Sequence, residues 1–141
     1  MKIGIVLANY YPDISSNLAK GIKNKLKKNN LKNYNFFYVN GIFEIPYVIS
    51  KNIKKFDTFI AAGCVIIGET PHFTYLCNSV FSVLLDISIS KQKPIANGIL
   101  TCLNKQQARI RSDPKKKDKG GECVDALITL LKKKINENNF K

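Results

Sequence analysis

The sequence predicts an α/β chain, a three-layer α/β/α sandwich on a four-stranded parallel sheet. Three observations lead there. Short β-branched apolar runs alternate with longer amphipathic segments from one end of the chain to the other. That alternation forces parallel neighbours joined by right-handed crossovers, so helices must cover both faces of the sheet. The apolar runs are also continuous rather than alternating, which marks strands buried on both sides.

The elements follow in order. "KIGIVLA" (2–8) reads as the first strand. Ser15 or Ser16 can cap a helix running to about Lys28, with Leu18, Ile22 and Leu26 on one stripe. "YNFFYVN" (34–40) is the second strand, broken by Gly41. "FEIPYVISKNIKK" (43–55) then gives a second helix, with Pro46 near its first turn, where a missing N–H costs little. "DTFIAAGCVI" (57–66) is the most apolar strand and is therefore placed centrally. A long amphipathic helix spans 71–92, and "KPIANGILT" (93–101) is the fourth strand. "NKQQARIR" (104–111) and "GGECVDALITLLKKK" (120–134) supply the last two helices. No internal repeat or linker interrupts this order, so residues 1–141 are expected to form one domain.

Composition bounds the function. With 45% apolar residues the chain can bury a real core. No apolar run approaches a membrane span, and "MKIGIVLANYYPDISS" is a poor signal peptide: its apolar part is short and no small-residue cleavage site follows. Cys64, Cys77, Cys102 and Cys123 are scattered without a C-x-x-C pair or a second histidine, which points to free thiols in a reducing cytoplasm and no structural metal. The net charge of +13 suggests nucleic acid, an acidic membrane or an anionic substrate. Lysine and asparagine are abundant throughout, however, and most lysine runs, "LLKKKINENNFK" among them, read as solvated helix faces and termini. Only "RIRSDPKKKDKGG", with Arg109 and Arg111 beside four lysines, is dense enough for an anion site.

In parallel α/β sheets, ligands bind outside the carboxyl ends of the strands. That rule selects "ANYY", "NGIFE", "GETPH" and "GILTC". The third of these is the best anion site: Gly68 allows a tight turn, Thr70 is a good N-cap, and Pro71 suits the first helical position. Free N–H groups and the helix dipole there favour a phosphate or carboxylate, although Glu69 opposes a phosphate unless its side chain points away. His72, the one histidine of the chain, follows directly. A lone histidine is more often ordinary packing than chemistry, yet histidine also changes protonation near neutral pH, where a proton shuttle is most useful. In "NGIFE", Phe43 and Glu44 set an aromatic face beside a carboxylate; Phe43 reads equally well as core or as a stacking surface, and Tyr10 could supply a second aromatic wall.

"GIFEIP", "GCVIIGETPHFTY", "NGILT" and "ARIRSDPKKKDKGGE" together resemble the lumazine synthase family of riboflavin biosynthesis. The match runs from Lys2 to about Lys133, with the motifs in the family's order and spacing. The resemblance implies a flavodoxin-like fold and a transferase reaction without a cofactor. A 5-amino-6-ribitylaminouracil would condense with 3,4-dihydroxy-2-butanone 4-phosphate to give 6,7-dimethyl-8-ribityllumazine, phosphate and water. It also implies residue roles. Tyr10 would stack on the pyrimidine, Phe43 and Glu44 would hold the ribityl chain, and Val65 and Ile66 would meet the pyrimidine edge through backbone groups. The Glu69–Thr70 turn would bind phosphate, with His72 as proton shuttle. Asn97, Arg111 and Lys119 would come from the neighbouring subunit of a homopentamer, with Arg111 facing the phosphate. No metal, nucleic acid or membrane partner is expected.

This chain departs from the family's usual pattern in places. Ile67 and Asn9 stand where arginine is common, and Asn97 stands where many members carry phenylalanine. "SDPKKKDKGG" keeps the family's Arg-to-Lys spacing but lacks its frequent glycine- and threonine-containing turn. Two other classes fit parts of the sequence: a non-catalytic flavin- or nucleotide-binding flavodoxin-like module, and an RNA-binding protein suggested by charge alone. The module would need the phosphate turn but not His72, and no interleaved aromatic–basic motif favours RNA.

Overall fold

The computed structural model describes residues 1–135. Four strands, β1 (Ile3–Ala8), β2 (Tyr34–Val39), β3 (Thr58–Ile66) and β4 (Ile95–Cys102), form one all-parallel sheet in the order β2-β1-β3-β4. Five α-helices connect or follow them: α1 (Pro12–Lys28), α2 (Ile45–Lys51), α3 (His72–Lys91), α4 (Lys105–Ser112) and α5 (Lys119–Ile135). The fold is the expected three-layer sandwich, and its strand order is the flavodoxin-like one. The stretch "LLKKKINENNFK" (130–141), read as solvated, lies in part outside the described residues.

Side-chain alternation along the inner strands divides the core in two. Ile3, Ile5 and Leu7 of β1 and Ile60, Ala62 and Cys64 of β3 point to the face covered by α1, α4 and α5. There they meet Leu18, Ile22 and Leu26, the predicted stripe, together with Val124 and Leu127. Val6, Ala8, Phe59 and Ala61 point the other way, against Ile45 and Ile49 of α2 and Cys77, Val80 and Leu84 of α3. Every residue of β1 is buried, and β3 is inner as expected, whereas β2 at the outer edge is only half-buried.

Three local expectations are corrected. Helix α1 begins at Pro12, not after Ser15 or Ser16, because proline already holds a helical φ at the first position and Asp13 suits the first turn. Ser15 is instead buried inside the helix, where its hydroxyl donates to the carbonyls of Ala8 (2.8 Å) and Tyr11 (3.0 Å), tying α1 to the end of β1. The second helix is shorter than read: a 3₁₀ turn over Ile42–Glu44 precedes α2, and the chain leaves the helix at Asn52. At α3 the cap shifts by one residue. Pro71 occupies the N-cap position and its carbonyl accepts the first helical bond, from Tyr75 N–H. Thr70 lies just outside, its hydroxyl oxygen accepting a long bond (3.4 Å) from His72 N–H. Asn104, by contrast, caps α4 as its position suggests, accepting from Gln107 N–H at 2.8 Å.

Helix α3 is long and apolar enough to cross a bilayer by composition, which the reading of the sequence missed. It lies on the sheet, burying only Cys77, Val80 and Leu84, and leaves Tyr75, Leu85 and Ile89 exposed.

All four cysteines are free and buried. Burial pushes the thiols of Cys64 and Cys123 up to about 12, and raises those of Cys77 and Cys102 as well. Since the thiolate is the reactive form, native protein at about pH 8 is expected to react with a thiol reagent far more slowly than a free cysteine does. All four should then react on unfolding. Fast labelling of the native protein would contradict this packing.

The α1–α5 contact is set by glycine. A Cβ on Gly120 would run into the carbonyl oxygen of Leu18, and would lie 3.2 Å from the backbone nitrogen of Ile22. Alanine is the better helix former, so propensity alone favours Gly120→Ala by about 1 kcal/mol. The backbone clash reverses the sign. Gly120→Ala is expected to destabilise the protein by about 1–3 kcal/mol in urea unfolding, the usual range for overpacking.

Candidate active site

The order β2-β1-β3-β4 reverses direction between β1 and β3, and the place beyond the carboxyl ends of those strands is the crevice in which such sheets bind ligands. The register there is uneven. Pairing of β3 with β1 stops at Ala62 opposite Leu7, while pairing of β3 with β4 continues to Ile66 opposite Cys102. Residues 63–66 of β3 therefore run past the pairing with β1; Gly63 and Cys64 are buried, the former against Ala8 and Ile42, and Val65 and Ile66 are the half-buried end that a ligand can reach.

Two aromatic rings stand around this crevice. Tyr10, directly after β1, is 70% exposed, and Phe43, on the 3₁₀ turn after β2, is 71% exposed. The open question about Phe43 is thus answered: Ile42 is the core residue of that turn, at 2% exposure, and Phe43 faces out. Gly63 makes this possible, because a Cβ there would lie 3.2 Å from Ile42 Cγ2 and 2.8 Å from Ala8 Cβ. Glu44 anchors the turn by accepting a hydrogen bond from Gly41 N–H at 3.1 Å. Tyr11 packs against the core beside α1 and meets Tyr10 edge-on, ring centres 4.9 Å apart, which supports Tyr10 from behind. Val65 and Ile66, both half-buried, end β3 between these walls.

Beyond Ile66 the turn 67–71 leads into α3. Gly68, Glu69, Thr70, Pro71 and His72 are all exposed, at the amino end of a helix of 20 residues. The unpaired N–H groups and dipole of that helix end favour an anion. Apart from His72 the turn carries no basic side chain, and Glu69 adds a negative one.

Asn97, Arg111 and Lys119 do not join this group. They lie at the outer edge of β4, on the far side of the sheet's last strand. Ile67 N–H donates to the carbonyl of Cys102, so that carbonyl points inward; the carbonyl of Thr101 then points outward, and Arg111 Nη1 reaches it at 3.4 Å. Two strand spacings, about 10 Å, separate that edge from the crevice. Arg111 and Lys119 line one groove of about 390 Å³, with Gln107, Lys117 and Glu122. Lys119 is paired with Glu122 at 3.5 Å. Asn97 lies in a second groove on the opposite face of the sheet, against Phe81, Leu85 and Ser88 of α3, and its side-chain oxygen accepts from Ile99 N–H at 2.9 Å. Arg109, two residues from Arg111 and so on another face of α4, is drawn off to Asp13 at 3.5 Å. The sequence had treated the two arginines alike; the period of a short helix separates them. Lys117 was read only as part of a lysine run, and nothing in the run's composition marks it as the one that turns into the groove.

Among the described residues, no three His, Cys, Asp or Glu side chains gather as metal ligands. The buried thiols lack the thiolate character of a nucleophile. What remains is one histidine at the end of the sheet where Tyr10 and Phe43 are exposed, with cations gathered at a separate edge.

The profile of the 6,7-dimethyl-8-ribityllumazine synthase family matches residues 1–134. A protein of Bartonella tribocorum (strain CIP 105476 / IBS 506), named 6,7-dimethyl-8-ribityllumazine synthase, is 38% identical over 139 residues, covering 95% of this chain and 91% of its own length. A protein of the same name from Ruthia magnifica subsp. Calyptogena magnifica is 36% identical, covering 92% of this chain and 83% of its own. By sequence, strand order and the matching motifs, this chain belongs to the 6,7-dimethyl-8-ribityllumazine synthase family.

Proposed function

We propose that this chain is a transferase of riboflavin biosynthesis that condenses 5-amino-6-(D-ribitylamino)uracil with 3,4-dihydroxy-2-butanone 4-phosphate, giving 6,7-dimethyl-8-ribityllumazine, phosphate and water. Family membership supports the reaction, and one observation supports its place: the end of β3 that runs past β1, with exposed Tyr10 and Phe43 at the same end of the sheet, leading into His72. The pyrimidine stacks on Tyr10 and is read along its edge by backbone groups of Val65 and Ile66. Phe43 and Glu44 hold the ribityl chain. The phosphate of the second substrate lies at the Glu69–Thr70 turn, over the amino end of α3. The amine of the pyrimidine attacks the ketone, an imine forms with loss of water, phosphate leaves, and the second nitrogen closes the ring on the remaining carbonyl with loss of a second water. His72 moves protons between the attacking amine and the departing groups. Holding two substrates in register supplies much of the acceleration such a condensation needs.

The active unit is a homo-oligomer, a ring of five in the cytoplasm, in which Asn97, Arg111 and Lys119 of one subunit complete the crevice of the next. The ring size follows the family resemblance. The separation of Arg111 from its own crevice supports a shared site, and the exposed apolar face of α3, with Tyr75, Leu85 and Ile89 each more than 60% accessible, supports a subunit contact. Four buried thiols suit a reducing compartment. A non-catalytic nucleotide-binding module has no use for His72 and is disfavoured by the names its relatives carry.

Incubating the purified protein with both substrates is expected to give the absorption and fluorescence of the lumazine, with one phosphate released per product. Product absent under conditions where a known lumazine synthase turns over would refute the assignment. His72→Ala is expected to lower kcat by roughly 10²–10⁴, the range for lost general acid–base help, with the assembly unchanged by light scattering. Unchanged turnover at saturating substrates would return His72 to a packing role.

A further inference from the structure

The groove at the outer edge of β4 holds more charge than the resemblance assigns to it. Three cations line it, Arg111, Lys117 and Lys119, with one carboxylate, Glu122. The three are not equivalent. Lys119 is engaged with Glu122 at 3.5 Å and is only 31% exposed in its side chain. Arg111 spends one N–H on the carbonyl of Thr101 but has no carboxylate partner among the described residues, and neither has Lys117.

Lys117 also has a fixed base. The loop between α4 and α5 is pinned by hydrogen bonds that converge on Asp113: Lys115 N–H donates to its carboxylate at 2.9 Å, and the N–H groups of Lys116 and Asp118 donate to its carbonyl at 2.9 and 3.0 Å. Lys117 N–H itself donates to the carbonyl of Ile110 at 3.2 Å. Asp118 then turns the chain through a left-handed conformation (φ 47°) into α5, with its carboxylate accepting from Gly121 N–H at 3.1 Å. The backbone beneath Lys117 is thus already ordered, so less backbone freedom is lost when its side chain binds.

Charge balance supplies the rest. A phosphate monoester carries close to two negative charges at neutral pH. The turn after β3 offers it helix N–H groups and His72, but Glu69 is the turn's only carboxylate and no lysine or arginine stands there. Two cations without a carboxylate partner in the groove, Arg111 and Lys117, match the phosphate's charge; Lys119, paired with Glu122, does not add a third.

We propose that Lys117 is a phosphate-binding residue, acting with Arg111 on the phosphate of the four-carbon substrate and setting the preference for a doubly charged over a neutral ketone. The inference rests on the reading above, in which this groove faces the crevice of a neighbouring subunit. Lys116, on the same loop but outside the groove, is the internal control.

The test compares Lys117→Ala, Lys117→Arg, Lys116→Ala and Arg111→Ala, measuring KM for each substrate and competitive inhibition by inorganic phosphate. Lys117→Ala is expected to raise KM for the phosphorylated ketone, and the inhibition constant of phosphate, by about tenfold, near the lower end of what a hydrogen bond to a charged group contributes. KM for the pyrimidine and kcat should stay within about twofold, Lys117→Arg should recover most of the loss, and Lys116→Ala should behave as the unmodified protein. If Lys117→Ala matches Lys116→Ala while Arg111→Ala still weakens phosphate, the inference about Lys117 is wrong and the assigned function stands. If Arg111→Ala also leaves phosphate inhibition unchanged, the groove does not bind the phosphate at all and both readings of it fall. A protein that forms no lumazine overturns the function and this inference together.

Discussion

Parallel strands cannot be joined by a tight turn, and the rest of this structure follows from that constraint. Each strand must be followed by a helix that carries the chain back, so every strand releases its chain at the same end of the sheet. The loops after β1, β2 and β3 bring Tyr10, Phe43 and His72 to one crevice although they are far apart in sequence. Register refines the place. Because β1 stops short and β4 does not, the end of β3 at Val65 and Ile66 is paired with β4 and runs past β1.

The same topology sends the cations of the proposed site to a different edge from its aromatic rings and histidine. Chain reversal between β1 and β3 places the crevice near the middle of the sheet, while the connection after β4 carries Arg111 and Lys119 to the outer edge. The aromatic, backbone and histidine groups are thus collected in one region and the cations in another. Keeping them apart also limits self-pairing: Glu69 and Glu44, near the crevice, have no ion-pairing partner among the described residues, and the groove's carboxylate engages only Lys119. Both regions are accessible, and α3 leaves Tyr75, Leu85 and Ile89 exposed.

Much of this was legible in the sequence, for physical reasons that can be named. Strands β1 and β3 announce themselves because burial on both faces demands unbroken apolar runs, and the stripe Leu18, Ile22, Leu26 appears because a helix repeats near 3.6 residues. What failed was local or depended on partners distant in sequence. Ser15 and Thr70 look like caps, since serine and threonine often are, but Ser15 is claimed by the carbonyl of Ala8 and the turn at Thr70 closes one residue later. Phe43 could not be assigned by composition: whether Ile42 or Phe43 enters the core depends on the missing side chain of Gly63, twenty residues on. The difference between Arg109 and Arg111 required Asp13, which lies almost a hundred residues earlier. His72 and Glu44 were found by motif resemblance more than by pattern, and their roles rest on that resemblance and on the crevice together.

The central claim is that the site is shared, His72 from one chain and Arg111 from the next. Refolding His72→Ala and Arg111→Ala chains together tests it most directly, because the two defects then lie on different subunits. In a head-to-tail ring assembled at random from equal amounts, about a quarter of the interfaces (half times half) combine an intact His72 with an intact Arg111. Activity of the mixture should therefore rise well above that of either variant alone, toward about a quarter of the unmodified protein's. If subunit exchange is demonstrated and the mixture stays at the average of the two variants, both residues act within one chain, and the shared site is wrong.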